Sequence, residues 1–134
     1  MNKKTAVLLA VLAAAVVAMR PATADTLKYG GAWVAPRPSR IAVAAIGYGD
    51  GYPRSAANGA PVSVNGEPAT LAGRPSMDML TIDVTGISRT GVGDRVELWG
   101  GEVPVEKVAA AAGTIAYELT CRVGRRVSFT TRSP

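Results

Sequence analysis

The chain has 134 residues, a length that suits one domain with a single hydrophobic core. Its formal net charge is +5, but the arginines are scattered and the only cluster is formed by Arg122, Arg125 and Arg126. A nucleic-acid surface needs a basic face with interleaved aromatic residues, so no nucleic-acid partner is expected. The absence of histidine removes the usual proton carrier near neutral pH, and no metal site is predicted. The single cysteine, Cys121, is expected to be a buried thiol in a strand.

The N-terminal segment differs in composition from the rest of the chain. A basic start precedes an uncharged run of 15 residues from Thr5 to Met19, and Ala22-Thr23-Ala24 offers a small-x-small cleavage pattern. These are the three parts of a secretory signal peptide. We therefore predict a signal-like hydrophobic helix over residues 1–24 and an exported, periplasmic protein. The alternatives are a retained membrane anchor and, in a cytoplasmic protein, the remnant of a truncated gene.

The remainder of the chain contains many short segments separated by Gly, Pro and Asn, a pattern typical of a turn-rich β-protein. Asn65-Gly66 lies between two alternating runs and predicts a hairpin with a type I′ turn. Pro104 before residues 105–112 and Gly113 after them predict one helix. The predicted strands cover residues 41–46, 62–64, 67–71, 77–84, 94–99, 119–123 and 126–130.

These elements predict a mainly β fold, a small closed Greek-key-like barrel with one short helix, preceded by the hydrophobic N-terminal segment. A closed barrel of this size leaves no long exposed strand edge. The predicted organisation is a signal-like segment over residues 1–24, a linker over 25–39 and the barrel domain over 40–134.

The most distinctive stretch is GYGDGYPR at residues 47–54, directly after the first predicted strand. Glycine allows close approach to the backbone, so a tyrosine hydroxyl on this turn would be exposed and able to move protons. Taken alone, the stretch favours a glycine-rich hairpin turn with two surface tyrosines. GRPSMD at 73–78 and GTIAYE at 113–118 follow in order. Together the three segments resemble the C-terminal domain of alanine racemase, a pyridoxal-phosphate enzyme, and the resemblance covers about Tyr29 to Val127.

The resemblance implies roles for particular residues. Tyr48 would be the second catalytic base, acting on the L-isomer, with a packed tyrosine at the barrel rim as the alternative. The backbone N–H of Met77 would hold the substrate carboxylate. Tyr117 would line the active-site entrance and touch the cofactor phosphate, and Arg74 would be an entrance arginine.

Three more residues are interpreted as structural. Asp78 is expected to brace the turn that carries the predicted carboxylate contact. Asp50 and Arg54 are expected to form a structural brace, with a catalytic role as the alternative.

The resemblance also implies pyridoxal 5'-phosphate, bound through a Schiff-base lysine in a separate (β/α)8 barrel, which needs about 250 residues. None of the four lysines (Lys3, Lys4, Lys28, Lys107) lies in a segment that resembles the cofactor-lysine motif. The chain therefore looks like the second domain alone and is expected to be inactive by itself. Expected partners are a barrel domain or racemase subunit, a second copy in a homodimer, and L- or D-alanine, a peptidoglycan precursor. The alternatives are an exported non-catalytic β-barrel module, for binding or structure, and a truncated-gene remnant.

Overall fold

The computed structural model describes residues 12–22, 26–27, 33–56 and 58–131. Its elements are β1 (Leu12–Ala22), β2 (Thr26–Leu27), β3 (Trp33–Val34), β4 (Ser39–Ala44), a 3-10 turn (Tyr48–Asp50), β5 (Pro61–Val64), β6 (Glu67–Leu71), β7 (Leu80–Asp83), β8 (Arg95–Trp99), α1 (Val105–Ala112) and α2 (Ala116–Cys121). Six strands close into an antiparallel barrel in the order β1-β4-β7-β6-β5-β8, and β2 pairs with β3. The predicted mainly β fold with a small closed barrel is confirmed.

Apolar side chains from every barrel strand fill the core, which α1 and α2 extend. The largest fully buried side chains of strands and helices are Leu12, Val16, Ile41, Val62, Val64, Leu71, Leu80, Ile82, Leu98, Trp99 and Leu119. Burial of this apolar surface is the main force that holds the strands together.

Local signals predicted two elements accurately. Asn65 and Gly66 both have positive φ, at 52° and 82°, as a type I′ turn between β5 and β6 requires. Helix α1 covers the predicted residues and ends at Gly113, whose φ of 72° places it in the left-handed region. Within the described ranges, no helix is long and apolar enough to cross a membrane.

The N-terminal segment differs from the prediction, because Leu12–Ala22 is a barrel strand and not a helix. It pairs with β4 along one edge and with β8 along the other, and it buries Leu12 and Val16 in the core. The periodicity of a short apolar run does not separate a buried strand from a buried helix. The helix predicted over this segment is therefore wrong. The barrel thus includes residues well before residue 40. Residues 1–11 and 23–25 lie outside the described part, and export stays a prediction.

The C-terminal strands predicted over 119–123 and 126–130 are also wrong. Residues Ala116–Cys121 form α2, and residues 122–131 continue without a strand or helix. An ion pair between Glu118 and Arg122, 3.0 Å apart at i,i+4 spacing, supports the helix. Cys121 is exposed on this helix, so the expected buried thiol is a further error.

Candidate functional site

Tyr48 begins a closed turn that follows β4. The N–H of Gly47 donates to Asp50 Oδ2 at 2.9 Å, and the N–H of Asp50 donates to the carbonyl oxygen of Gly47 at 3.0 Å. Gly51 ends the turn with a φ of 114°, a conformation that favours glycine. Tyr48 is 41% exposed. Its neighbours in the turn, Gly47 and Gly51, are both hydrogen-bonded, so the exposed tyrosine stands on a backbone that is held in place.

A second loop, residues 76–79, lies directly against this turn. The N–H of Tyr48 donates to the carbonyl oxygen of Ser76 at 3.0 Å, and the N–H of Gly49 donates to that of Met77 at 2.9 Å. A Cβ atom on Gly47 would overlap the Ser76 carbonyl oxygen, so this approach requires glycine. The fold therefore brings Tyr48 and Met77 together although they are distant in sequence.

The Met77 loop is a tight turn of its own. The Ser76 hydroxyl donates to the Met79 carbonyl oxygen at 3.0 Å and accepts from the Met79 N–H at 3.1 Å. This turn is the reason that β7 begins at Leu80 and not at Met77, where the strand was predicted. Met77 is 53% exposed, and its N–H donates no hydrogen bond to any of the described residues. A backbone donor of fixed direction is therefore free at this point.

Arg126 connects both loops to the C-terminal segment. Its Nε lies 3.0 Å from Asp50 Oδ1, its Nη1 donates to Asp78 Oδ1 at 2.8 Å, and its Nη2 donates to the Met77 carbonyl oxygen at 3.5 Å. The hydrogen bond with Asp78 is the main cause that raises the pKa of Arg126, and the charge of Asp50 acts in the same direction. Asp50 and Asp78 do brace the turns, but the expected partner Arg54 is replaced by Arg126.

Two other predicted residues are exposed on the surface. Tyr117 is on the first turn of α2 and is 80% exposed, and Arg74 is exposed in the loop after β6. Among the described residues, neither side chain forms a hydrogen bond or an ion pair with Tyr48 or Met77. The structure therefore groups two of the four predicted site residues and leaves Tyr117 and Arg74 outside that group.

A family model described as "Alanine racemase, C-terminal domain" matches residues 9–131. The chain belongs to this family. The match begins before β1 and ends after Arg126, so it is longer than the stretch from Tyr29 to Val127 that the motifs indicated.

Curated relatives and solved structures agree with the membership. The chain is 56% identical over 117 residues to an alanine racemase of Azoarcus sp. (strain BH72), covering 87% of this chain and 33% of that protein. It is similar to the biosynthetic alanine racemase of Pseudomonas aeruginosa, with a TM-score of 0.84, 47% identity and coverage of 87% and 33%. It is also similar to an alanine racemase of Bartonella henselae with covalently bound pyridoxal phosphate, with a TM-score of 0.81, 34% identity and the same coverage. The chain spans about a third of the length of the relatives it matches.

Sequence reasoning missed two residues of this racemase-family domain. Tyr52, one of the two tyrosines in the glycine-rich stretch, is buried and stacks on Trp99 with ring centroids 6.1 Å apart, so it is not a surface tyrosine. Burial raises the pKa of Tyr52, and its hydroxyl has no hydrogen-bond partner among the described residues. Arg126 belonged to the one basic cluster in the sequence, but nothing local distinguishes it from its neighbour Arg125.

Proposed function

We propose that this domain contributes the second catalytic base and a substrate-carboxylate contact to a pyridoxal-phosphate racemase that interconverts L- and D-alanine. The observation that carries the proposal is the hydrogen-bonded pairing of two loops, one with an exposed tyrosine and the other with a backbone N–H that donates to none of the described residues. Tyr48 and Met77 are the residues concerned.

Racemisation requires that a proton leave one face of the α-carbon and that another arrive on the opposite face. Two groups, one on each side, serve this reaction best, because each acts as base in one direction and as acid in the other. The hydroxyl of Tyr48 takes the proton of the L-isomer from the α-carbon and returns it in the reverse direction. The N–H of Met77 binds the substrate carboxylate, since a backbone donor cannot turn away when charge develops.

The described residues do not form a complete site for pyridoxal phosphate. The cofactor, when bound, supplies the stabilisation of the carbanion that proton removal leaves behind. The ionisable side chains that brace Tyr48 and Met77 are Asp50, Asp78 and Arg126, and none of them can form a Schiff base. Lys107, the one lysine in the described part, is exposed on α1, whereas Lys3, Lys4 and Lys28 lie outside that part.

We therefore infer that a barrel domain or a racemase subunit supplies the lysine and the cofactor and that this chain is inactive alone. Tyr117 and Arg74 would line the entrance, with Tyr117 towards the cofactor phosphate. A homodimer, in which each copy completes the site of the other, is the expected assembly. The exposed apolar side chains of Met77 and Met79 beside Tyr48 suit a surface that a partner covers.

The location of the chain depends on the fate of its N-terminus. Export with cleavage after Ala24 would remove β1, which pairs with both β4 and β8. A chain that keeps β1 keeps the closed barrel, which supports an unprocessed N-terminus. N-terminal sequencing of protein from the native host decides between the two.

A domain exchange tests the proposed function. Residues 9–131 would replace the matching third of the Azoarcus racemase, and exchange of the alanine α-proton for solvent deuterium would be measured. We expect activity in the chimera, and none in the Azoarcus barrel domain alone or in this chain alone. A folded, cofactor-loaded chimera without exchange would contradict the proposal and favour a non-catalytic β-barrel module.

A further inference from the structure

We propose that Arg126 is the positioning residue of this domain, which holds the turn of Tyr48 and the loop of Met77 in a single arrangement. This inference rests on the proposed function for its consequence in catalysis, although the positioning itself can be measured without it. Arg126 does not need to touch the substrate. It acts through the two loops whose residues do.

The geometry of the guanidinium carries the first step. Its Nε and Nη1 each contact a different carboxylate, Asp50 at 3.0 Å and Asp78 at 2.8 Å, and one carboxylate belongs to each loop. Its Nη2 donates to the Met77 carbonyl oxygen, which also accepts from the N–H of Gly49. A planar fork of several donors can make these contacts at once, whereas the single ammonium group of lysine cannot reach all of them.

The space that the guanidinium occupies exists because residue 49 is glycine. A Cβ atom on Gly49 would overlap Nη2 of Arg126 and would lie 2.9 Å from the Met77 carbonyl oxygen. The φ of Gly49 is not in the left-handed region, so close approach and not backbone conformation explains the glycine. The residue that follows the proposed base is therefore matched to the arginine side chain.

The backbone of the C-terminal segment is fixed on the same turn. The N–H of Gly124 donates to the Asp50 carbonyl oxygen at 2.8 Å. A Cβ atom on Gly51 would overlap the Arg122 carbonyl oxygen, so the end of α2 also lies directly on the turn. Arg126 consequently approaches the two loops from a segment that is itself hydrogen-bonded to one of them. The hydrogen bond of Gly124 to Asp50 fixes the position of the Arg126 backbone relative to the turn.

Amide hydrogen exchange in the full chain, followed by NMR, tests the positioning directly. In Arg126→Gln we expect the N–H groups of Tyr48 and Gly49 to exchange about tenfold faster, since an exposed ion pair with Asp78 and a partly buried one with Asp50 are lost. Arg126→Lys should recover part of the protection because it restores the charge. The neighbouring variant Arg125→Gln should leave both amides unchanged.

A distant amide separates local positioning from global stability. The N–H of Gly93, in the exposed turn before β8, donates to the Val16 carbonyl oxygen of β1 at 2.8 Å, and its exchange should not change in Arg126→Gln. Equal acceleration at Gly93 and at Gly49 would overturn the proposal, and so would unchanged exchange at Gly49. The double variant Arg126→Gln/Asp78→Asn should lose no more amide protection than Arg126→Gln alone. The reason is that Asp78 acts through its contact with Arg126, which the single variant already removes.

The racemase chimera then connects positioning to activity. In Arg126→Gln, kcat should fall and KM for alanine should rise, because the base and the carboxylate contact both move. We expect each constant to change by about tenfold. Arg126→Lys should recover both in part, and Arg125→Gln should change neither. Unchanged kinetics in an active chimera would overturn the catalytic consequence. An inactive unsubstituted chimera would contradict the proposed function and not the positioning role of Arg126. The positioning role is tested by amide exchange, which does not depend on activity.

Discussion

The N–H of Gly49 donates to the carbonyl oxygen of Met77 at 2.9 Å, so the residue after the proposed base is hydrogen-bonded to the residue proposed to hold the substrate. The neighbouring N–H of Tyr48 donates to the carbonyl oxygen of Ser76. Two short motifs thus form one surface, and a shift of either loop moves both proposed functional groups. Mutations that part the loops should therefore affect activity more than they affect the stability of the barrel.

Gly49→Ala should separate the loops. The added methyl group would overlap Arg126 Nη2, and relief of this overlap requires movement of the arginine or of the Met77 loop. We expect a loss of about 1–3 kcal/mol in the free energy of unfolding, measured in urea, and a larger proportional loss of activity in the chimera. Gly86→Ala is the matched control, because its Cβ meets no atom within 4 Å. Equal behaviour of the two variants would show that the close approach has no consequence.

Tyr52→Phe should leave the barrel at least as stable as the natural chain. The Tyr52 hydroxyl is buried without a hydrogen-bond partner among the described residues, and such a group costs about 1–3 kcal/mol. The aromatic stacking on Trp99 is preserved by phenylalanine. Urea unfolding near neutral pH checks this expectation. A marked loss of stability in Tyr52→Phe would mean that the hydroxyl has a partner after all.

The same residue predicts how stability depends on alkaline pH. Burial raises the pKa of Tyr52 above its ordinary value near 10, so below that pH the hydroxyl is protonated in both states. At higher pH the unfolded chain releases the proton while the folded chain keeps it, and the free energy of unfolding falls by up to about 1.4 kcal/mol per pH unit. Tyr52→Phe should show a shallower fall between about pH 9 and about pH 11. Identical slopes would contradict the effect of burial.

Removal of residues 1–24 should abolish the cooperative fold. The deletion takes away β1, exposes the paired edges of β4 and β8, and removes Leu12 and Val16 from the core. Circular dichroism and size-exclusion chromatography should report an aggregated or partly unfolded chain. Removal of residues 1–8, which precede the family match, is the control and should be tolerated. A cooperative unfolding transition in the shorter chain would show that β1 is dispensable and would revive processing after Ala24.

Local signals explain which parts of the fold could be predicted. The hairpin at Asn65-Gly66 and the helix before Gly113 depend on backbone conformations that few residues adopt, so short sequences identified them. Strand β1 was missed because its alanine-rich run has no pattern that separates a strand from a helix. Helix α2 was missed because one buried residue, Leu119, is too few to establish a helical period.

The candidate site divides in the same way. Tyr48 lies in a glycine-rich motif and Met77 in a turn-forming motif. Both motifs resemble segments of a known family, and that resemblance predicted the two residues as site residues. Arg126 acts through contacts with residues almost 50 and more than 70 positions earlier in the chain. Such contacts exist only after the loops have met, and no local pattern in the sequence marks them. The burial of Tyr52 against Trp99 is likewise a property of the closed barrel.

The central claim, that Tyr48 is a catalytic base, is tested most directly by Tyr48→Phe in the chimera. The variant removes one hydroxyl from a side chain that is 41% exposed, so the barrel should remain folded. Exchange of the α-proton for solvent deuterium would be measured separately for L-alanine and D-alanine. We expect a loss of about 10²–10⁴ in rate for the L-isomer and a smaller loss for the D-isomer, because the opposite face keeps its own base. Small and equal losses for both isomers would show that Tyr48 is part of the scaffold.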